Sequence, residues 1–223
     1  ENPRTTLLKA RALRKAHDVE GAYTALKHYF ELAGATPAFE QEQWLLKAQV
    51  GDNSDLQMHL GKMLIEPTGS MQDICETYVN SCILNYQFDD ALKILQLWEA
   101  DFPDDPLPNF MRGKMYEHNL AWKEAGVEYE SSLSKDPGFA PAAYSLGRIQ
   151  LTLKKTDQAL QYYQRAVESA DQPGPAQAGV ARCLRLLNRN AEAKALLQEV
   201  LANEPEELQK AYQALGDHKA AAL

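Results

Sequence analysis

Apolar residues recur at intervals of three and four along most of this chain, which is the spacing of an amphipathic α-helix. The pattern is clear in residues 141–155 (PAAYSLGRIQLTLKK) and again in residues 156–170 (TDQALQYYQRAVESA). Each segment can hold a helix of about 13 residues, and a short turn separates the two. The pattern therefore predicts pairs of helices, each pair with an apolar face that a neighbouring pair must cover.

The helix pairs repeat with a fixed period. An alanine recurs every 34 residues, at Ala91, Ala125, Ala159 and Ala193. Twelve positions before each alanine stands a small or medium-sized residue, at Val79, Gly113, Gly147 and Ala181. Twelve positions after them stand Pro103, Pro137, Asp171 and Pro205. Small residues allow a close helix crossing and proline ends a helix, so four matches in one register predict a repeated two-helix unit. We also expect Asp89, Thr156 and Asn190 to cap second helices.

This pattern resembles the tetratricopeptide repeat (TPR) family, whose unit is a 34-residue helix-turn-helix. In the fifth unit the resemblance is carried by Leu146, Gly147, Ala159, Tyr163 and Ala166. In the fourth unit it is carried by Gly113, Tyr116, Ala125, Tyr129 and Pro137. The resemblance implies an all-α, right-handed α-solenoid of stacked antiparallel helix pairs. Aromatic residues at repeat positions are then expected to pack helix against helix: Tyr78, Tyr86, Tyr116, Tyr129, Tyr162, Tyr163 and Trp98.

We interpret residues 1–223 as one superhelical domain of about six repeats. The predicted units are 3–36, a degenerate repeat at 37–69, then 72–105, 106–139, 140–173 and 174–207. Residues 208–219 are expected to form a capping helix or half of a truncated repeat. The chain begins with Glu1 instead of Met, so we expect a segment upstream of it. Residues 220–223 (AAAL) are typical of an expression-vector linker and carry no functional argument.

Composition and charge exclude several functional classes. The apolar fraction is 45% and the charged fraction 24%, as in a folded soluble protein, and no stretch is long enough for a membrane span. The net charge of −8 has the wrong sign for binding nucleic acid by charge alone. That charge is unevenly spread. Residues 31–105 hold three basic and fourteen acidic residues, net −11, whereas residues 106–223 hold fourteen of each. The sequence leaves the compartment open, with the cytoplasm favoured over the periplasm or export.

Neither the cysteines nor any sequence motif predicts a disulfide, a catalytic site or a metal site. Cys75 and Cys82 lie seven residues apart in one predicted helix, about 10 Å apart and beyond disulfide reach. With Cys183 they are expected to fill the core. The sequence contains no GxSxG, P-loop, GxGxxG or HExxH motif, and its five histidines are scattered singly. We therefore predict no enzyme activity, no metal and no cofactor.

The resemblance also indicates where a partner would bind, because the first helix of each TPR pair lines a concave groove. With the repeated alanines numbered as position 20, groove position 9 is occupied by Asn80, Lys114, Arg148 and Arg182. Phe110 and Tyr144 stand at groove position 5, and Arg185 at position 12. In the first repeat, residues 3–36, Arg11 and Arg14 take positions 9 and 12, and both are expected to face water. Our hypothesis is that this row grips acidic groups of an extended partner segment, with the two aromatic rings stacking beside them.

Alternatives stay open at this point. Position 9 could instead be a solvated face that accepts any long polar side chain, because an exposed charge contributes little. The residues do not match the TPR subtype that clamps chaperone tails, since Glu76 stands where that subtype uses lysine. The favoured function is a non-catalytic protein-interaction scaffold. The rivals are a regulatory or substrate-presenting module of a larger enzyme or secretion complex, and a self-assembling scaffold. We expect a protein or peptide partner, no nucleic acid, no membrane span and an open oligomeric state.

Overall fold

The helices expected from the apolar spacing are present in the computed structural model, which describes residues 2–50, 58, 59, 62, 71–170 and 173–202. Their bounds are α1 (Pro3–Lys15), α2 (Val19–Ala33), α3 (Pro37–Gln49), α4 (Met71–Leu84), α5 (Phe88–Asp101), α6 (Leu107–His118), α7 (Trp122–Lys135), α8 (Ala140–Thr152), α9 (Thr156–Ser169), α10 (Gly174–Leu186) and α11 (Asn190–Ala202). The described residues contain no strand. The all-α prediction is confirmed. The helix expected at 208–219, the linker at 220–223, Asp171 and Pro205 lie outside the described residues.

The chain divides into two compact units, residues 1–120 and residues 121–223. In the first unit, from α1 to α6, each helix contacts the next one along the chain. In addition, α1 contacts α3, and α4 contacts α6. In the second unit α7 to α11 follow the same order, and α8 also contacts α10. Contact between every second helix is what stacked helix pairs require, because the first helix of one pair packs on the first helix of the next.

The repeated small residues lie inside each unit. All seven of the repeat-defining positions are buried: Ala91, Gly113, Ala125, Gly147, Ala159, Ala181 and Ala193. In the first unit Ala91 packs in a cluster with Leu95 and the fully buried Trp98. In the second unit Ala159 packs with Tyr163 and Cys183. Alanine is needed there because a larger side chain would push the two helix axes apart.

The turn inside each helix pair has one backbone geometry. A residue with φ near +60° ends the first helix at His17, Tyr86, Leu120, Lys154 and Asn188, and the last four are spaced by 34. After His17, Tyr86, Lys154 and Asn188 the next N–H bonds back across six residues, as from Gln87 to the Cys82 carbonyl at 2.8 Å and from Lys155 to the Gln150 carbonyl at 2.8 Å. This is the Schellman arrangement, in which a left-handed residue closes the helix.

The predicted helix caps are wrong because each second helix begins at or before the predicted capping residue. Asp89 lies in the first turn of α5, and Thr156 and Asn190 are the first residues of α9 and α11. The N-cap positions of α5 and α9 are Gln87 and Lys155, and neither side chain makes a capping hydrogen bond. The turn holds the entry to each second helix through backbone bonds. The same turn does accommodate a side-chain cap at Asp18, which follows the left-handed His17 and whose Oδ1 accepts from Gly21 N at 2.9 Å.

One aromatic expectation also fails at this turn. Trp98, Tyr129 and Tyr163 are buried as expected of packing residues. Tyr86 is 69% exposed because it occupies the left-handed position, which points away from the helix interface. Its ring lies edge-on to the ring of His118, with 4.9 Å between the two ring centres.

Glycine at the left-handed position should stabilise the protein. Lys154 has φ of +60°, a conformation that costs a residue with a Cβ roughly 1–2 kcal/mol and costs glycine little. We expect Lys154→Gly to raise the free energy of unfolding by about 1 kcal/mol, measured by urea denaturation followed by circular dichroism. Lys154→Ala is the matched control, since it removes the same side chain and keeps the Cβ. Equal effects of the two substitutions would show that the backbone conformation is not the cause.

Candidate functional site

In the first unit, two of the predicted groove residues bind each other. Lys114 on α6 donates a hydrogen bond of 2.8 Å from Nζ to Oδ1 of Asn80 on α4. The same Nζ lies 5.9 Å from the centre of the Phe110 ring, which is within cation–π range. All three side chains are half-buried. The 34-residue spacing therefore brings Asn80 and Lys114 into direct contact, as it places equivalent positions on adjacent first helices.

The surroundings of Lys114 already compensate much of its charge. Burial lowers the pKa of Lys114, and the nearby carboxylates of Glu76 and Glu117 oppose that shift. An ammonium with an amide acceptor and two acids around it has less to gain from a partner's carboxylate. Lys114 is therefore a weaker candidate for binding an acidic segment than an arginine without acids on its helix.

Two arginines of the first repeat, Arg11 and Arg14, form ion pairs that join α1 to α3. Glu42 of α3 accepts from Arg11 Nε at 2.7 Å and from Arg14 Nε at 3.0 Å, and Arg14 is only 7% exposed. The expectation that Arg14 faces water is therefore wrong. Asp73 of α4 extends the network by bonding Lys15 at 2.9 Å. These cations are bound by acids of the next helices instead of lining an open wall.

In the second unit a buried tyrosine organises the predicted site. Tyr163 of α9 lies against Gly147 of α8 and Gly179 of α10, so closely that a Cβ on either glycine would come within 2.8 Å and 2.5 Å of the ring. The ring centre of Tyr144 lies 5.6 Å from that of Tyr163, and the angle between the two ring planes is 63°. Burial raises the pKa of Tyr163 to about 12, while Arg148 and Arg182 act in the opposite direction. Both guanidinium groups therefore lie close enough to act on the same phenol.

Three arginines of the second unit lie on helices that contain no acidic residue. Arg148, Arg182 and Arg185 are exposed. They belong to α8 and α10, which contact each other, and neither of these helices contains an Asp or a Glu. We call Tyr144, Arg148, Arg182 and Arg185 the arginine wall. Since α8 and α10 carry three positive charges and no negative charge, this wall can attract an anionic group.

An apolar hollow opens beside Tyr144, and the repeat pattern did not predict it. Its volume is about 440 Å³, and it lies between the start of α8, the end of α9 and the start of α10. Its lining includes Phe139, Pro141, Tyr144, Ala166, Ala170 and Ala176. The sequence signal that could have found it is the group of alanines and prolines at these helix ends.

The thiols are not placed for chemistry. Cys75, Cys82 and Cys183 are free and buried, as expected of core residues. Burial raises the pKa of Cys75 to about 11 and that of Cys82 to about 12, so both stay protonated at neutral pH. The described part of the chain has no group of three His, Cys, Asp or Glu side chains that could hold a metal ion. None of its described helices combines the length and apolar character needed to cross a bilayer.

Solved structures with this fold are known. PilF of Pseudomonas aeruginosa superposes with a TM-score of 0.61 at 12% identity, covering 95% of this chain and 96% of its own. PilW, described as a widely conserved type IV pilus biogenesis factor, gives 0.61 at 16% identity and covers 94% and 98%. A tetratricopeptide repeat protein from Parabacteroides merdae ATCC 43184 gives 0.54 at 16% identity and covers 99% and 92%. At these identities the similarity concerns the fold, and the predicted TPR fold is confirmed.

Sequence comparison identifies the family. A comparison with curated protein sequences found no match to this chain. The family described as "T7SS, ESX-1 secretion system protein EccA1, N-terminal domain" matches residues 40–220, which is most of the chain. The chain therefore belongs to the family of EccA1 N-terminal domains of the ESX-1 type VII secretion system.

Proposed function

We propose that this chain is a protein-binding domain with no catalytic activity of its own, working as a module of a larger secretion protein. The family, named for the N-terminal domain of a secretion system protein, supports a regulatory or substrate-presenting module over a free-standing scaffold. Stacked helix pairs support the binding role, because within each unit the first helices of neighbouring pairs contact each other and place their side chains side by side.

The arginine wall of the second unit binds an acidic segment of the partner. The observation that carries this proposal is that three arginines on α8 and α10 are exposed on helices without a single Asp or Glu. A guanidinium group presents paired donors that match the two oxygens of a carboxylate. Tyr144 supplies an aromatic face beside them. In the first unit, Asn80, Phe110 and Lys114 form a second, weaker contact point.

A peptide selection tests the wall directly. A random peptide library displayed on phage is selected on the immobilised protein, and the enriched peptides are then measured by fluorescence anisotropy. We expect enrichment of Asp and Glu, and at least about tenfold weaker binding to Arg148→Glu/Arg182→Glu, since each reversal turns an attraction into a repulsion. Binding should also weaken at higher salt, as expected for exposed charges.

A matched variant separates the wall from net charge. Lys123→Glu/Lys155→Glu makes the same change in total charge at two exposed positions outside α8 and α10. This variant should bind the selected peptides like the wild type, and circular dichroism should show that both variants remain helical. If the two double variants lose affinity equally, or if the selected peptides carry no acids, the arginine wall is not the binding site.

A further inference from the structure

The hollow beside Tyr144 has the size and lining of a pocket for one side chain. Its volume of about 440 Å³ is within the usual range for ligand pockets of roughly 300–1,000 Å³. Ala166 and Ala176 are buried at 1% and 4% exposure and form its inner part, while Pro141 and Pro175 are exposed at its edge. The interior is thus apolar and the edge is open to solvent.

Two prolines stiffen the edge of the hollow. Pro141 and Pro175 stand in the first turns of α8 and α10 and are 34 residues apart. Proline has a fixed φ and no backbone N–H, so it adds neither mobility nor an unpaired donor. The alanines contribute only methyl groups. An apolar side chain that entered would displace water from these methyl groups and rings, and apart from the Tyr144 hydroxyl, Ser169 is the one residue of the lining with a polar side chain.

The hollow lies one helical turn from Arg148, one of the cations of the wall. Tyr144 lines the hollow, and Arg148 follows it by four residues on α8, so their Cβ atoms are about 6 Å apart on one helix face. In an extended segment, side chains two residues apart are separated by about 7 Å and point to the same side. A segment of this kind can place one side chain in the hollow while the other reaches Arg148.

We propose that the hollow binds a bulky apolar side chain of the partner, two residues away from an acidic residue that binds the arginine wall. The partner segment is extended, and its apolar residue is aromatic or branched aliphatic. This inference rests on the proposed function and names the chemistry of the ligand. The charge of α8 and α10, positive with no acids, selects the acidic neighbour.

Capped tripeptides test both halves of the proposal. The probes are Ac-Trp-Gly-Asp-NH2 and Ac-Asp-Gly-Trp-NH2, with versions in which Asn replaces Asp or Ala replaces Trp. Binding to the full chain is followed by NMR through the labelled methyl groups of Ala166, Ala170 and Ala176. We expect at least one Trp/Asp peptide to shift these methyl signals. The Ala version should bind at least about tenfold more weakly and the Asn version about fivefold more weakly.

The outcomes distinguish the hollow from the wall. If no tryptophan peptide shifts the three alanine methyl signals, the hollow is not the pocket, and the arginine wall is still judged by the library selection. If the Asp and Asn peptides bind equally at these methyl groups, the acidic half of this inference is overturned, and the arginine wall itself is still judged by the library selection. Shifts that also occur with the Ala version would overturn the apolar half alone.

A filled hollow gives a second, independent measurement. Ala170 lies at the end of α9 and is half-buried, so Ala170→Phe should occupy the hollow with its own ring and abolish the methyl shifts caused by the tryptophan peptides. Ala191→Phe, at an exposed position of α11, is the matched control and should bind like the wild type. Unchanged binding by the Ala170→Phe variant, with its helical circular dichroism intact, would overturn the proposal.

Discussion

Replacing Glu42 with alanine is expected to lower the free energy of unfolding by about 3–5 kcal/mol. Glu42 is 3% exposed, and its two carboxylate oxygens accept from Arg11 at 2.7 Å and from Arg14 at 3.0 Å. Without Glu42, the buried guanidinium of Arg14 keeps only a longer approach of 3.8 Å to Asp73. The cost of leaving that charge poorly paired inside the protein exceeds the value of the lost bonds themselves.

Urea denaturation measures the effect, and a neighbouring residue supplies the control. Glu40 lies on the same helix and is exposed, so Glu40→Ala should change the free energy of unfolding by less than about 0.5 kcal/mol. The loss caused by Glu42→Ala should persist at 1 M salt, because buried pairs are screened much less than exposed ones. Hydrogen exchange should accelerate first in α1, which the pair ties to α3. A loss below about 1 kcal/mol would mean that water solvates Arg14 in place of Glu42.

The repeat period explains why the fold could be predicted from the sequence. An alanine every 34 residues identifies the close crossing inside a helix pair, and a single residue type suffices because only a small side chain fits there. The same period placed Asn80 and Lys114 at equivalent positions of adjacent pairs, and the structure shows a hydrogen bond between them. Equivalence by repeat therefore predicts neighbours, although it does not predict which neighbours bond.

The role of Arg14 could not be predicted because its partner lies in the least regular repeat. Glu42 is 28 residues away in sequence and belongs to the segment 37–69, where the repeat pattern is degenerate. No local spacing links the two residues. In water an arginine at this helix position would be exposed, and only the packing of α3 on α1 buries it.

The helix caps and the hollow were missed for a different physical reason. The backbone bonds of the left-handed turn end the first helix, and the second helix then begins at once, so that Thr156 is already its first residue instead of its cap. The hollow depends on what three helix ends leave unfilled, which no single segment records. Alanines such as Ala166 and Ala170 fit an ordinary helix equally well, so their small size acquires meaning only when the ends of α8, α9 and α10 are placed together.

Substitution of Gly179 with alanine is expected to lower the free energy of unfolding by about 2 kcal/mol, even though alanine favours a helix over glycine by about 1 kcal/mol. The added Cβ would lie 2.5 Å from the Tyr163 ring. Gly147 and Tyr144 also contact this ring, so it has little room to move away. A rigid buried ring cannot move aside as the end of a flexible side chain can. The helices α9 and α10 must therefore separate, which weakens the packing around the arginine wall.

The control is Gly126→Ala, because Gly126 lies within α7 and a Cβ there meets nothing within 4 Å. This substitution should stabilise the protein by up to about 1 kcal/mol, the ordinary difference in helix propensity. A double variant assigns the cause: if the Tyr163 ring produces the clash, Gly179→Ala should cost much less in a Tyr163→Leu background, giving a coupling energy of at least about 1 kcal/mol. Additive losses in urea denaturation would refute the assignment. In that case the glycine would be required by the backbone of α10 itself, and the arginines flanking Tyr163 would not depend on this contact for their positions.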